Sequence, residues 1–260
     1  MSLAPAVPTS TTSAATDCIC ELQGLGVRRG EGRWLVRGLN VRLARGRMVA
    51  VVGPSGAGKS SLLSVMTGAL QPAEGRVLYC HGHEGASGSG CAGPSIPPGD
   101  FHQRMGIVFQ NFLLSENLPV LTNVMCGRLG RHTWWRTFFG FPRADMNDAM
   151  RFLCEMELGR HAWSRVRDVS GGEQQRVAIA RALCREPDIY LADEPVAHLD
   201  WPLARRVMAR LRREATEHGR TVVAVMHDPA LVEEFADDVL EMNRDDAAGW
   251  TWRPVKGARP

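Results

Sequence analysis

Eight residues, Gly53-Pro54-Ser55-Gly56-Ala57-Gly58-Lys59-Ser60, place glycines, a cation and a hydroxyl at the spacing GxxxxGK[ST]. The glycines let backbone N–H groups converge on phosphate oxygens, and a helix start behind them adds partial positive charge. Lys59 then reaches the β- and γ-phosphates, and the Ser60 hydroxyl is placed to ligate Mg²⁺. The context is right, with the apolar run Met48–Val52 before the loop and a helical pattern, Lys59–Ala69, after it. Of 31 basic residues only Lys59 and Lys256 are lysines, so a lysine retained in a glycine loop is informative. A second run, Asp188-Ile189-Tyr190-Leu191-Ala192-Asp193-Glu194, ends in two carboxylates. At the carboxyl end of a buried parallel strand, Asp193 is placed to hold Mg²⁺ and Glu194 to orient or deprotonate an attacking water. Alone, such a run is often a strand entering solvent; after a phosphate loop the chemical reading is favoured.

A third cluster is Ser170-Gly171-Gly172-Glu173-Gln174-Gln175-Arg176. Ser170 and Glu173 have the spacing of a helix capping box, which is the structural explanation. Two glycines just inside a helix start are poor helix formers, however, and make sense where backbone amides must approach another phosphate.

The elements that must present these groups follow from apolar patterning. Runs at Ile19–Val27 and Trp34–Leu43 predict strands of a small antiparallel sheet. Met48–Val52 and Met105–Phe109 suit strands buried on both faces, Arg76–Cys80 is a further strand, and 81–99, rich in Gly, Ser and Pro, is a loop. Beyond Gln110 the pattern turns helical. Met146, Ala149, Met150, Leu153 and Met156 fall on one face of Asp145–Leu158, a stripe read as packing. Helices Glu173–Cys184, Pro202–His218 and Pro229–Phe235 then alternate with strands Ile189–Ala192, Thr221–Met226 and Val239–Met242. This predicts an α/β fold: a P-loop NTPase core with a parallel sheet, a small antiparallel β subdomain and an inserted α-helical subdomain at about 111–170.

Composition narrows the class. With 260 residues, 44% hydrophobic and 23% charged, the chain can bury one large core, which excludes wholesale disorder, collagen-like repeats and a heptad rod. No apolar run approaches membrane-spanning length, so work at a membrane would need another chain to span it. A net charge of +3 gives no basis for a nucleic-acid partner. Seven cysteines, with no CxxC pair, suggest free thiols in a reducing compartment. Cys80-His81-Gly82-His83 with Cys91 lacks zinc-ligand spacing. Residues 1–17 carry no signal-peptide pattern and are expected to be a disordered tail, leaving 18–260 as the folded domain.

Taken together, these motifs resemble the ATP-binding subunits of ABC transporters. Val169-Ser170-Gly171-Gly172-Glu173 is similar to their LSGGQ signature, with Val and Glu at the variable ends. Gln110 matches the Q-loop glutamine that links Mg²⁺ to the helical subdomain. Ala197-His198-Leu199-Asp200 resembles the D-loop, and His227 the switch histidine that contacts the γ-phosphate. The resemblance covers residues 19–242 and implies ATP and Mg²⁺ as ligands. It makes Glu194, His227 and Gln110 catalytic, and Ser60, Gln110 and Asp193 metal-binding. Residues 53–60, Ser170, Gly171, Gly172 and Asp200 would contact nucleotide. It also implies a dimer of two copies sharing two ATP molecules, membrane permease subunits, and indirectly a periplasmic solute-binding protein, at the cytoplasmic face of the inner membrane. Asn123-Val124, Gly127–Arg131, Trp135-Arg136 and Phe139-Gly140 look like the phosphonate-import subgroup, while Trp134, Trp135, Phe138 and Phe139 are otherwise read as a packing or permease-docking patch. The alternatives are an ABC subunit for a different solute, a soluble ABC ATPase acting on nucleic acid or ribosomes, and a non-hydrolysing regulatory subunit.

Three departures stand out. His198 replaces the usual Ser of the D-loop. Val27-Arg28-Arg29-Gly30 has no aromatic where relatives stack one on adenine, so Arg29, or Arg28, is expected there and Trp34 is expected to face the core. Residues 243–260 show no closing-strand pattern.

Overall fold

The computed structural model describes residues 17–30, 32–80, 95–131 and 141–255. Two kinds of apolar pattern build two sheets. β1 (Cys18–Arg28), β2 (Trp34–Ala44), β4 (Glu74–Cys80) and β5 (Ser95–Ile96) form an antiparallel sheet in the order β2-β1-β4-β5. The second sheet contains β3 (Met48–Val52), β6 (Met105–Val108), β7 (Ile189–Ala192), β8 (Thr221–Val225), β9 (Asp238–Glu241) and β10 (Thr251–Pro254). Its order is β10-β9-β3-β8-β7-β6, parallel except for β10.

The parallel strands read as continuous apolar runs because each feeds two cores. Met48, Ala50, Tyr190, Ala192, Val222 and Ala224 join the core shared with the helical region. Their alternates Val49, Val51, Ile189, Leu191, Val223 and Val225 join the core beneath the antiparallel sheet. The helices are α1 (Lys59–Met66), α2 (Pro98–Phe101), α3 (Val120–Met125), α4 (Arg143–Glu155), α5 (Gly171–Arg185), α6 (Trp201–His218) and α7 (Pro229–Phe235).

Register positions the chemistry. Val51 pairs with Val225, Ala224 with Ala192, and Ala192 with Val108. The residues that follow these strands, Gly53, His227, Asp193 and Gln110, therefore leave the sheet along one edge. The methionine stripe of α4 packs as expected, with Ala149, Leu153 and Met156 buried and Met146 and Met150 partly so. Arg128, buried between α4 and the end of α5, pairs with Asp145 and Asp148 at 2.8 Å and Glu186 at 3.2 Å, and donates to the Cys184 carbonyl at 2.9 Å.

Several expectations change. Within the stretch expected to be loop, residues 95–96 pair as β5 and 98–101 form α2. The carboxyl end, expected to lack a closing strand, supplies β10, which pairs with β9 from Thr251–Glu241 to Pro254–Asp238. A four-residue strand is too short to announce itself by periodicity. Cys20, Cys126, Cys154 and Cys184 are free thiols, but Cys80 is disulfide-bonded, which corrects the expectation of free thiols throughout. Which thiols meet is decided by the fold, and cysteine spacing does not reveal it. The expected tail up to residue 16, His81, His83, Cys91 and the 134–139 aromatic patch lie outside the described residues. Among the described residues no helix is long and apolar enough to cross a membrane.

The buried carboxylates Asp145, Glu214 and Asp237 each pair with arginine. Glu214, only 1% exposed, accepts hydrogen bonds from Arg210 at 2.5 Å, from the Tyr190 hydroxyl at 3.0 Å, and from Arg220. Burial alone would raise its pKa, but the two guanidinium groups outweigh burial and hold the carboxyl below its usual value. A depressed folded pKa gives stability that is complete above the unfolded pKa and is lost as pH falls through the folded one. Glu214→Gln is expected to cost about 3–5 kcal/mol near neutral pH, as for other broken buried pairs. Urea unfolding at stepwise lower pH should show that deficit shrinking through the carboxylate range; a constant deficit would assign it to packing.

Candidate nucleotide site

The loop 53–58 connects β3 to α1, and Gly58, the N-cap of α1, supplies no side-chain cap. The first-turn N–H groups of that helix are therefore left for an external acceptor, the arrangement that suits a phosphate. Lys59 is buried, and its ammonium donates to the carbonyls of Gly53 at 2.8 Å and Pro54 at 3.0 Å. Burial lowers its pKa, opposed by the charges of Glu194 and Asp193. Those two carboxylates are thus electrostatically coupled to the loop although 134 positions or more separate them in sequence.

Asp193 follows β7 directly. Burial raises its pKa, offset by a hydrogen bond from Ser60 and by Lys59. Its Oδ1 is buried without a hydrogen-bond partner. A buried carboxylate oxygen with no donor, beside a serine hydroxyl, fits a hard divalent cation, so Ser60 and Asp193 would hold Mg²⁺. Glu194 adopts a left-handed backbone, φ 52°, and its Oε1 lies 2.8 Å from His227 Nε2, the ring N–H donating to the carboxylate. Gln110 lies at the same edge, two residues after β6, with its side chain exposed.

Ser170 caps α5 through a complete capping box. Its hydroxyl accepts from Glu173 N at 3.3 Å, while the Glu173 carboxylate accepts from Ser170 N at 2.8 Å. Gly172 packs on the loop before α6, where a Cβ would come within 3.3 Å of the His198 carbonyl; at Gly171 a Cβ would meet nothing among the described residues. Asp200 caps α6, accepting from Leu203 N at 2.9 Å. Gln175 is a residue that sequence reasoning missed. Buried to 1% exposure, it donates to the Glu194 carbonyl at 3.0 Å and accepts from His198 N at 3.3 Å. A glutamine on the inner face of a helix, four residues past Gly171, was the available signal.

Comparison with known proteins agrees with this geometry. Residues 36–197 match the family model described as ABC transporter. The chain belongs to the ABC transporter family. It is 39% identical over 223 residues to the phosphonates import ATP-binding protein PhnC of Thiobacillus denitrificans, covering 85% of this chain and 83% of that one. It is 38% identical over 206 residues to the PhnC of Lactobacillus johnsonii, covering 79% of each. Among solved structures, the dimeric bacterial ABC transporter cassette MJ0796 is similar with a TM-score of 0.77 and 27% identity, over 92% of this chain and all of that one. A post-hydrolysis form of that cassette, bound to ADP and phosphate, gives a TM-score of 0.75 at 28% identity. The chain is therefore an ATP-binding member of an ATP-hydrolysing transporter class.

Where β1 turns into β2, the structure departs from the expected arrangement. Arg28 lies 3.8 Å over the Trp34 ring and Arg37 lies 4.7 Å from its centre. Trp34 is thus half-buried between two guanidinium groups rather than facing the core, because Gly26 across the ladder leaves it room on the sheet surface. Arg29 sits in the β1–β2 turn, its N–H donating to Arg33 O at 2.9 Å. The D-loop His198 lies edge-on to Phe112, 6.3 Å between centroids.

This geometry separates binding from chemistry. Glu194→Gln is expected to lower kcat by about 10²–10⁴-fold, the usual contribution of a general base, with ATP binding retained. Lys59→Ala should instead abolish binding, since it removes phosphate neutralisation. Phosphate-release kinetics and ATP titration check both; full activity of the Glu194 variant would mean that another group polarises the water.

Proposed function

We propose that this chain is the ATP-hydrolysing subunit of an importer for phosphonate or a related phosphorus oxyanion, working as a pair beneath a separate permease. The observation that carries the solute is the similarity to phosphonates import ATP-binding proteins over 85% of the chain. The solute does not touch an ATPase subunit, so substrate class enters through kinship and not through a pocket.

The chemistry follows from residues at one sheet edge. The glycine loop and α1 start bind the β- and γ-phosphates, with Lys59 exchanging its two carbonyl partners for phosphate oxygens. Mg²⁺ held by Ser60 and Asp193, with Gln110 from the neighbouring strand end, would neutralise phosphate charge. Glu194 takes a proton from the attacking water as its oxygen bonds to the γ-phosphorus and the bond to the β-phosphate oxygen breaks, giving ADP and phosphate. His227, held on Glu194, orients that carboxylate and faces the γ-phosphate.

Coupling needs two copies. Gly171 is open among the described residues, so Ser170–Gly172 of one copy can approach the nucleotide bound by Gly53–Ser60 of the other, with Asp200 and the D-loop between them. Two ATP molecules then hold the pair together, and hydrolysis releases it. The segment at about 111–170 is the helical subdomain that transmits this motion to permease helices. The subunit sits peripherally on the cytoplasmic face of the inner membrane, and a periplasmic binding protein delivers solute from the other side. Two experiments test this. Glu194→Gln with ATP should elute as a dimer in size-exclusion chromatography, where the ATP-free protein elutes as a monomer. Deleting the gene should abolish growth on phosphonate as sole phosphorus source; undiminished uptake with no paralogue present would overturn the solute while leaving the ATPase intact.

A further inference from the structure

The phosphate loop is held at both ends, and both holds lead to one segment. At its start, Gly53 (φ 143°) lies so close to Met242 that a Cβ would collide with the Met242 carbonyl oxygen. Met242 N in turn donates to Val52 O at 2.9 Å. At its end, Gly58 (φ 96°) lies against Leu35, where a Cβ would come within 2.7 Å of the Leu35 Cβ. From Met242 the chain runs back to the start of β2. Arg33 donates to Arg244 O and lies 3.7 Å from the Asp245 carboxylate. Arg37 N donates to Ala247 O at 2.8 Å, and Trp250 Nε1 donates to Arg37 O at 3.3 Å. Trp250 also packs, with Leu35, against the core beneath the antiparallel sheet, and β10 then fixes the chain beside β9.

We propose that residues 243–250 form a strap that positions the phosphate loop for nucleotide, with Trp250 as its positioning residue. The strap joins the two neighbours that pinch the loop, Met242 at one end and, through Arg37, Leu35 at the other. A glycine loop has many accessible conformations, and ordering it on binding costs affinity. Holding both ends beforehand removes part of that cost. When the strap is loosened, the binding-competent fraction of the loop falls and apparent affinity falls with it. Glu194 and His227 follow β7 and β8, whereas the strap's hydrogen bonds and ion pair named above run to the start of β2, so the hydrolytic step is spared.

This inference rests on the reading of residues 53–60 as the ATP site. Its test is steady-state hydrolysis and ATP titration on the full chain. Trp250→Ala is expected to raise KM for ATP about three- to tenfold, the loss of one net hydrogen bond and its packing. kcat should stay within about twofold, since a uniform binding contribution is what is removed. Trp250→Phe keeps ring packing but not the donor and should show a smaller rise. Arg33→Ala, at an exposed position outside the core, should shift KM in the same direction with an unchanged melting temperature. If Trp250→Ala does not fold, Trp250→Phe and Arg33→Ala decide the matter. Unchanged KM in both of those variants, or losses in kcat equal to those in affinity, would overturn the strap. If wild type and Lys59→Ala bind ATP equally, the ATP-site reading fails, and the strap with it.

Discussion

Parallel pairing of β3, β8, β7 and β6 is the constraint on which the chemistry depends. Parallel strands in register end together, and their ends carry the glycine loop before Lys59, His227, the carboxylates Asp193 and Glu194, and Gln110. Residues from 53 to 227 thereby converge along one edge without any need to be near one another in the chain. The register is secure because both sheet faces are buried. A slip of one residue would exchange the two cores, placing the small Ala50, Ala192 and Ala224 where Val and Leu side chains now fill space.

Around that edge, arginine carries the long-range connections. Arg128 ties α4 to the end of α5 through three carboxylates and a carbonyl, and Arg212 pairs with the buried Asp237, which also accepts from Met48 N. A planar guanidinium with several fixed donors can satisfy such groups simultaneously, which a single ammonium does less well. The arginine bias of the chain leaves its one described lysine at a position where a compact point charge suits converging phosphate oxygens.

Helix α5 connects parts of the candidate site that are distant in sequence. Its first turn presents Ser170–Gly172, and one turn later Gln175 links that helix to the Glu194 backbone and to the D-loop. A shift of α5 would therefore be felt at the Glu194 backbone through a buried amide whose loss would leave His198 N without this partner and the Glu194 carbonyl with Ala197 N alone. The capping box belongs to the same design. It satisfies the Ser170 end internally, while a Cβ at Gly171 would meet nothing among the described residues.

The sequence by itself determined the short-range chemistry and the element types. A glycine loop between an apolar strand and a helix, carboxylates at a strand end, and Ser170 three residues before Glu173 are local patterns whose physics needs few neighbours. The continuous apolar strands were legible for the same reason, since burial on both faces removes alternation. Tertiary structure alone decided the rest. Gln175 reads as an ordinary helix residue until β7 and the D-loop pack against it. Trp34 alternates like a core residue, but Gly26 across the ladder lets it lie between Arg28 and Arg37 instead. The carboxyl end showed no strand pattern because β10 is only four residues long, and the contacts of residues 243–250 with β2 are made across more than 200 positions, 213 between Trp250 and Arg37. Contacts at that separation carry no local period, and only the folded chain brings their partners together.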